Sequence, residues 1–199
     1  MSEAAPPAVR MNGIHHVAFR CRDAEQTRWF YADVLGLKPA AGIVIETVPG
    51  TAAETPYMHI FFELGDGNYI AFFDSPTDAD PDWFDRKNSF DMHVAITAGS
   101  RDDMLAMQQR IEASGVRCFG PIEHDFVQSV YMYDPNGIQV EITAKTPEHD
   151  HILSEEGDAL PETLRRWSER TRAMKVEKFG AAALDRRGRA PASPSPANA

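Results

Sequence analysis

His16-Val17-Ala18-Phe19 returns 77 residues later as His93-Val94-Ala95-Ile96. Around each copy the same order of signals recurs. After the first copy, Asp23 stands where an N-cap belongs, with Gln26 three residues on, the spacing of a capping box. An apolar helix face then runs through Trp29, Phe30, Val34 and Leu35 to a stop at Gly36. After the second copy, Ser100 can cap, Asp103 lies in the first turn, and Met104, Leu105 and Ile111 mark the apolar face before Gly115. Strand-like runs follow each helix, at 43–48, 57–64 and 69–73, and at 116–119, 127–133 and 138–143. Each closing pair of runs is joined by hairpin chemistry, Gly65-Asp66-Gly67-Asn68 and Asp134-Pro135-Asn136-Gly137. The chain therefore reads as βαβββ twice, an α+β fold of two modules at about residues 13–75 and 90–145.

Strand alternation sorts the side chains into faces. Val17 and Phe19, like Val94 and Ile96, point toward the helices, so His16 and His93 point to the other face. In the last strand Ile138, Val140 and Ile142 share one face, and Gln139, Glu141 and Thr143 the other. If the modules pair through their sheets, His16, His93 and Glu141 meet in one concave surface. Two imidazoles and one carboxylate form a facial triad that leaves positions open on a divalent metal. The register with His93 selects His16 over its neighbour His15, which should face the opposite side. His149 and His151 follow the last strand and read as a solvated or lid-like segment.

These residues resemble the vicinal oxygen chelate superfamily, which includes glyoxalase I, type I extradiol dioxygenases, fosfomycin-resistance proteins and methylmalonyl-CoA epimerase. The resemblance covers residues 13–143. It rests on His16-Val17-Ala18-Phe19, Phe30-Tyr31-Ala32-Asp33-Val34-Leu35-Gly36-Leu37, His93-Val94-Ala95-Ile96 and the run from Ser129 through Asp134-Pro135-Asn136-Gly137 to Glu141. It implies a cupped, incompletely closed eight-stranded barrel with metal ligands on the first and last strands of the modules: His16, His93 and Glu141. Aligning Gly67 with Gly137 places Ala71 opposite Glu141. Alanine cannot ligate, whereas glyoxalase I has a fourth protein ligand there. The likeness is therefore to three-ligand enzymes, the small extradiol dioxygenases above all. On that resemblance Fe(II) is the expected metal, with Mn(II), Zn(II) or Ni(II) as alternatives. The substrate is a catechol chelating through vicinal oxygens, O2 is the co-substrate, and the role is in aromatic catabolism. Tyr131, ten residues before Glu141, would hydrogen-bond the catecholate, and His124 or His59 would handle protons. The alternative is a non-redox lyase, isomerase, epimerase or thiol transferase using the metal as a Lewis acid, with Glu63 or His59 as base. A drug-sequestering binding protein, as in bleomycin resistance, is the rival of another class, and an intact triad counts against it.

Composition sets the outer limits. The chain has 199 residues, 30 acidic and 20 basic side chains, a net charge of −10, which argues against a nucleic-acid backbone as partner. No apolar run approaches a membrane span, no secretory signal opens the chain, and two cysteines make no disulfide framework. A cytoplasmic protein, forming a homodimer or higher homo-oligomer, is expected. Residues 165–199 hold nine Lys or Arg and three acids, leaving 11 basic and 27 acidic groups on residues 1–164: a basic tail on an acidic body. Residues 1–12 read as an N-terminal extension and 146–180 as a C-terminal helical extension. Leu160, Leu164 and Trp167 mark that helix's apolar stripe, with Pro161 near its start. Residues 181–199, rich in Pro, Ala, Ser and Arg, read as disordered.

Overall fold

A computed structural model describes residues 11–47, 55–85 and 92–186. The two modules are present, each a four-stranded mixed sheet with a helix. In the first, β1 (His16–Cys21), β2 (Lys38–Ile45), β3 (Tyr57–Glu63) and β4 (Tyr69–Asp74) lie in the order β1-β4-β3-β2. In the second, β5 (His93–Thr97), β6 (Phe119–His124), β7 (Val127–Tyr133) and β8 (Gln139–Lys145) lie in the order β5-β8-β7-β6. The first strand of each module runs parallel to the last. The eight strands thus form two sheets, neither closed. Each module's second strand is an edge carrying a proline and a register shift, between Pro39 and Ala41 in β2 and between Phe119 and Ile122 in β6. An edge is where a strand tolerates the missing N–H, and where irregularity discourages unwanted pairing. β6 runs to His124, beyond the residues 116–119 that apolar content alone marked.

The helices are capped as the sequence implies. Asp23 accepts a bond from the Gln26 N–H at 2.6 Å, and Ser100 from the Asp103 N–H at 3.1 Å. α1 (Ala24–Arg28) passes into a π-helical segment, Trp29–Val34, while α2 (Arg101–Ala113) stays α-helical. The wider turn moves the apolar face by a residue. Phe30, Tyr31 and Val34 are buried, and Trp29, expected on that face, is 37% exposed.

One core serves both modules. Phe30, Tyr31, Phe62 and Phe72 of the first cluster with Met104, Ile111, Met132 and Val140 of the second. Polar bonds fasten the same seam. The Tyr31 hydroxyl donates to Asp134 at 3.2 Å, the Arg22 N–H to Asn136 Oδ1 at 2.9 Å, and Asn136 Nδ2 to Thr27 Oγ1 at 3.2 Å. Asp134 also accepts the N–H groups of Asn136 and Ile138, both at 2.8 Å. Burial pushes its carboxyl and the Tyr31 hydroxyl above their ordinary values. The Asp134-Pro135-Asn136-Gly137 run, which reads as hairpin chemistry in the sequence, is therefore also the joint between the modules.

α3 (His149–Phe179) leaves the body after β8, and α4 (Ala181–Asp185) folds back on it through Arg172 and Asp185, 2.8 Å apart. The helix begins 12 residues before Pro161, which lies inside it. α4 occupies the start of the stretch expected to be disordered; residues 187–199, and most of the extension 1–12, lie outside the described residues.

Candidate metal centre

β5, β7 and β8 bring a set of polar side chains to the face turned away from α2. His93 Nε2 lies 2.8 Å from Glu141 Oε2. The Ser129 hydroxyl donates to the other oxygen, Glu141 Oε1, and is itself 3.0 Å from Thr143 Oγ1. Register explains the grouping: Ser129 pairs with Thr143, Tyr131 with Glu141, and Ala95 with Glu141. Glu141 is 5% exposed and Ser129 fully buried. A buried carboxylate whose one oxygen is held by a hydroxyl presents the other toward the imidazole and the cavity beyond. That is how outer partners orient a metal ligand.

Beside this pair stands a second. His124 Nε2 is 2.9 Å from the Tyr131 hydroxyl, and the Tyr131 ring meets His93 edge-on at 6.1 Å. Burial, with the Glu141 charge nearby, raises the Tyr131 hydroxyl above its ordinary value. A 510 Å³ cavity is lined by His93, His124, Tyr131, Tyr133, Phe119 and Ile122, within the roughly 300–1,000 Å³ usual for a small-ligand site. Phe119 and Ile122 come from β6; the apolar run 116–119 legible in the sequence reaches Phe119 but not Ile122. Alternation along β7 puts Ser129 and Tyr131 on one face; the bond from Ser129 to Glu141 is a cross-strand contact that no local pattern signals.

His16 belongs to the other sheet. Its ring neighbours are His59 at 6.2 Å and Phe61 at 5.8 Å, and its Nδ1 lies 2.9 Å from Nδ1 of His15. His15 thus comes beside His16 rather than to the opposite side. It precedes β1, so strand alternation does not govern it. His59 stacks on Phe73 at 3.8 Å, and its buried Nε2 has no hydrogen-bond partner. Desolvation, then the nearby His16, lowers its basicity. Glu63, the other suggested base, holds Lys38 at 2.8 Å. His149 and His151 sit in the first turn of α3, where His149 packs near Phe126. Among the described residues no group of three or more His, Cys, Asp or Glu is placed to hold a metal ion within one chain. The expected ligands are divided: His93 and Glu141 together, His16 apart.

The donor set of the second sheet fits a divalent metal in type, one imidazole and one oriented carboxylate, and lacks a third ligand. A family model, the Glyoxalase/Bleomycin resistance protein/Dioxygenase superfamily, matches residues 13–142. The chain belongs to this superfamily. Among solved structures, a glyoxylase/bleomycin resistance protein/dioxygenase domain from Frankia sp. EAN1pec is similar at 19% identity and TM-score 0.56, covering 71% of this chain and 99% of that one. A glyoxalase/dioxygenase from Nostoc punctiforme is similar at 22% identity and TM-score 0.53, covering 71% and 99%. The fosfomycin resistance protein FosX from Listeria monocytogenes, complexed with Mn(II) and sulfate, is similar at 19% identity and TM-score 0.51, covering 71% and 98%. At these identities the likeness is one of fold. A comparison with curated proteins finds no match. No helix among the described residues is long and apolar enough to cross a membrane.

Proposed function

We propose that the protein is a metal-dependent, extradiol-type ring-cleaving dioxygenase whose centre is assembled between two copies of the chain. His93 and Glu141 of one copy and His16 of the other would hold the metal, Fe(II) by preference. The observation that carries the assembly is the division of the ligand set. Residues of both helices and both sheets share one core, while His16 stays with His59 and Phe61 on its own sheet. β1 and β5, the strands that begin with the two histidines, each pair on one side only among the described residues. They thus offer open edges for a second copy.

The His124–Tyr131 pair is what supports this reaction class. A bound divalent metal would supply a positive centre that makes a diol hydroxyl more acidic and holds the diol beside dioxygen. The chain's own groups do the rest. Phe119 and Ile122 offer an apolar wall to an aromatic ring, and Tyr131 donates to one substrate oxygen. His124, 2.9 Å behind that hydroxyl, takes or returns its proton. His59 would enter from the His16 side as a neutral imidazole. One carbon–carbon bond of the ring breaks and both atoms of O2 enter the product, so no further reductant is needed. The same residues could serve a non-redox isomerase or lyase. With Glu63 engaged by Lys38, that chemistry would have to use His59 or His124 as its base.

Two measurements test these parts separately. His16→Ala and Glu141→Ala proteins should each fail to take up metal. Mixed under exchange, they should regain roughly a quarter of the sites, since statistical re-pairing makes half the dimers mixed and each carries one intact centre. No recovery on mixing, with exchange verified, would refute the shared centre. Oxygen uptake by anaerobically iron-loaded protein across substituted catechols tests the reaction. Tyr131→Phe should lower the turnover number about 10²-fold with metal retained. Absence of uptake with iron bound would transfer the site to the non-redox reading.

A further inference from the structure

From Leu153 to Arg170 every residue of α3 is exposed, although the helix is 31 residues long. Its large apolar side chains do not scatter. Leu153, Leu160, Leu164, Trp167 and Met174 are between 45% and 62% exposed. With Gly157 and Thr171 they fall at alternating steps of four and three along residues 153–174. That is the heptad seam of a helix that packs on another helix. Thr171 is the one buried member, 4% exposed, and its hydroxyl donates to its own helix, to the Trp167 carbonyl at 2.7 Å, so the open stripe runs from Leu153 to Trp167 and resumes at Met174. Leu160, Leu164 and Trp167 are the part of this stripe legible in the sequence, and α3 leaves them exposed rather than laid on the body.

Charge selects the occupant. Residues 149–162 carry Asp150, Glu155, Glu156, Asp158 and Glu162 and no Lys or Arg, whereas residues 163–179 carry six Lys or Arg against Glu169 and Glu177. A second α3 laid parallel would set like charge against like. Laid antiparallel, it sets each acidic half against a basic half. We infer that α3 pairs antiparallel with α3 of a second copy of this chain. In the register that overlaps residues 152–179, Leu164 meets Trp167 across the two-fold axis. Leu160 meets Thr171 and Gly157 meets Met174, so large side chains face small ones in successive layers. The helix is about 46 Å long at 1.5 Å per residue, which gives the pair a contact of roughly four heptads. This pairing is an interface separate from the β1 and β5 edges, so it adds its own twofold association to whatever the metal centre assembles and is read by mass rather than by activity.

The test is light scattering on the full-length chain at rising concentration. Leu164→Glu with Trp167→Glu should halve the assembly mass; both side chains face solvent, so the body should stay folded by circular dichroism. A charge series then fixes the direction. Replacing Glu155, Glu156 and Asp158 by Lys should weaken association. Adding Arg170→Glu, Lys175→Glu and Lys178→Glu to the same chain should restore it, because exchange of both halves preserves antiparallel complementarity. Three results overturn the proposal: a monomeric wild-type chain, an unchanged mass in the Leu164/Trp167 variant, or no recovery on reciprocal exchange. The first two would mean that the stripe serves a different protein or the chain's own body.

Discussion

Ala71 in β4 and Glu141 in β8 occupy the same place in two copies of one module. Ala71 pairs with Ala18 and Phe61, Glu141 with Ala95 and Tyr131. Around Glu141 stand Ser129 and Thr143; at the matching positions around Ala71 stand His59 and Phe73. One sheet has therefore kept a buried acid with the hydroxyls needed to hold it. The other carries a stack of rings at those places, with His16, among the described residues, its one group at an expected ligand position. The backbone repeats and the chemistry does not. A buried carboxylate is tolerable only with its partners in place, so the positions must change together. The consequence is asymmetry of roles. The second module can orient a metal, whereas the first can contribute one imidazole and an aromatic wall.

The largest expected effect comes from exchanging that difference. Glu141→Ala should abolish metal uptake. The reverse change, Ala71→Glu, places a carboxylate at a fully buried position with no hydroxyl donor. It should lower stability by about 3–5 kcal/mol, the usual size of an uncompensated buried charge. Urea unfolding with and without divalent metal checks it. If metal restores Ala71→Glu to wild-type stability and a second equivalent binds per chain, the first module is a latent centre and the contrast drawn above is wrong.

The repeat itself was legible because His16-Val17-Ala18-Phe19, the two caps and the two hairpins recur in order, and each is a local signal. Strand parity sufficed to put His93 and Glu141 on one face. It failed at His15, which lies just outside the strand, and at β6, where Pro121 hides an edge strand from any pattern of apolar residues. It could not tell that His16 stays with its own sheet. That depends on how the two modules share a core, through Tyr31, Asp134 and Asn136, contacts 103 and 109 residues apart in the chain. The charge division of α3 was visible in composition as a basic tail, but its acidic first half was counted with the body.

A smaller effect separates packing from function in the first module. His59 has a buried Nε2 without a partner among stacked rings, and its imidazole is held below the ordinary value by desolvation. The folded state therefore favours its neutral form. The proton-linked part of its cost is absent at neutral pH and grows as pH falls through the unfolded value of about 6.5 toward the lower folded one. His59→Phe should stabilise the protein by about 1 kcal/mol at neutral pH by removing the unsatisfied polar atom. The gain should widen between about pH 7 and 5. Turnover should fall in the same variant. Unchanged turnover with the stability gain would reduce His59 to packing and leave His16 as the first module's sole chemical contribution.

The smallest expected effect concerns the two thiols, one in each module. Cys21 at the end of β1 is 1% exposed, and burial pushes its thiol up to about 12. Cys118, just before β6, is half-buried, and burial raises it to about 11. Reactivity toward an alkylating agent follows the thiolate fraction and access. At pH 7.5 both should react far more slowly than an exposed cysteine with the ordinary value of about 8.5. Cys118 should be modified before Cys21, since it is both the more accessible and the more acidic. Cys21 contacts the shared core from the first module, so its labelling reports opening of the joint between modules rather than motion of one sheet. Mass spectrometry of time points, with and without low urea, reads this order. Cys21 labelling at a rate equal to that of Cys118 would mean that the two modules separate as readily as an edge strand frays, and the common core would then be a weaker joint than Tyr31, Asp134 and Asn136 make it.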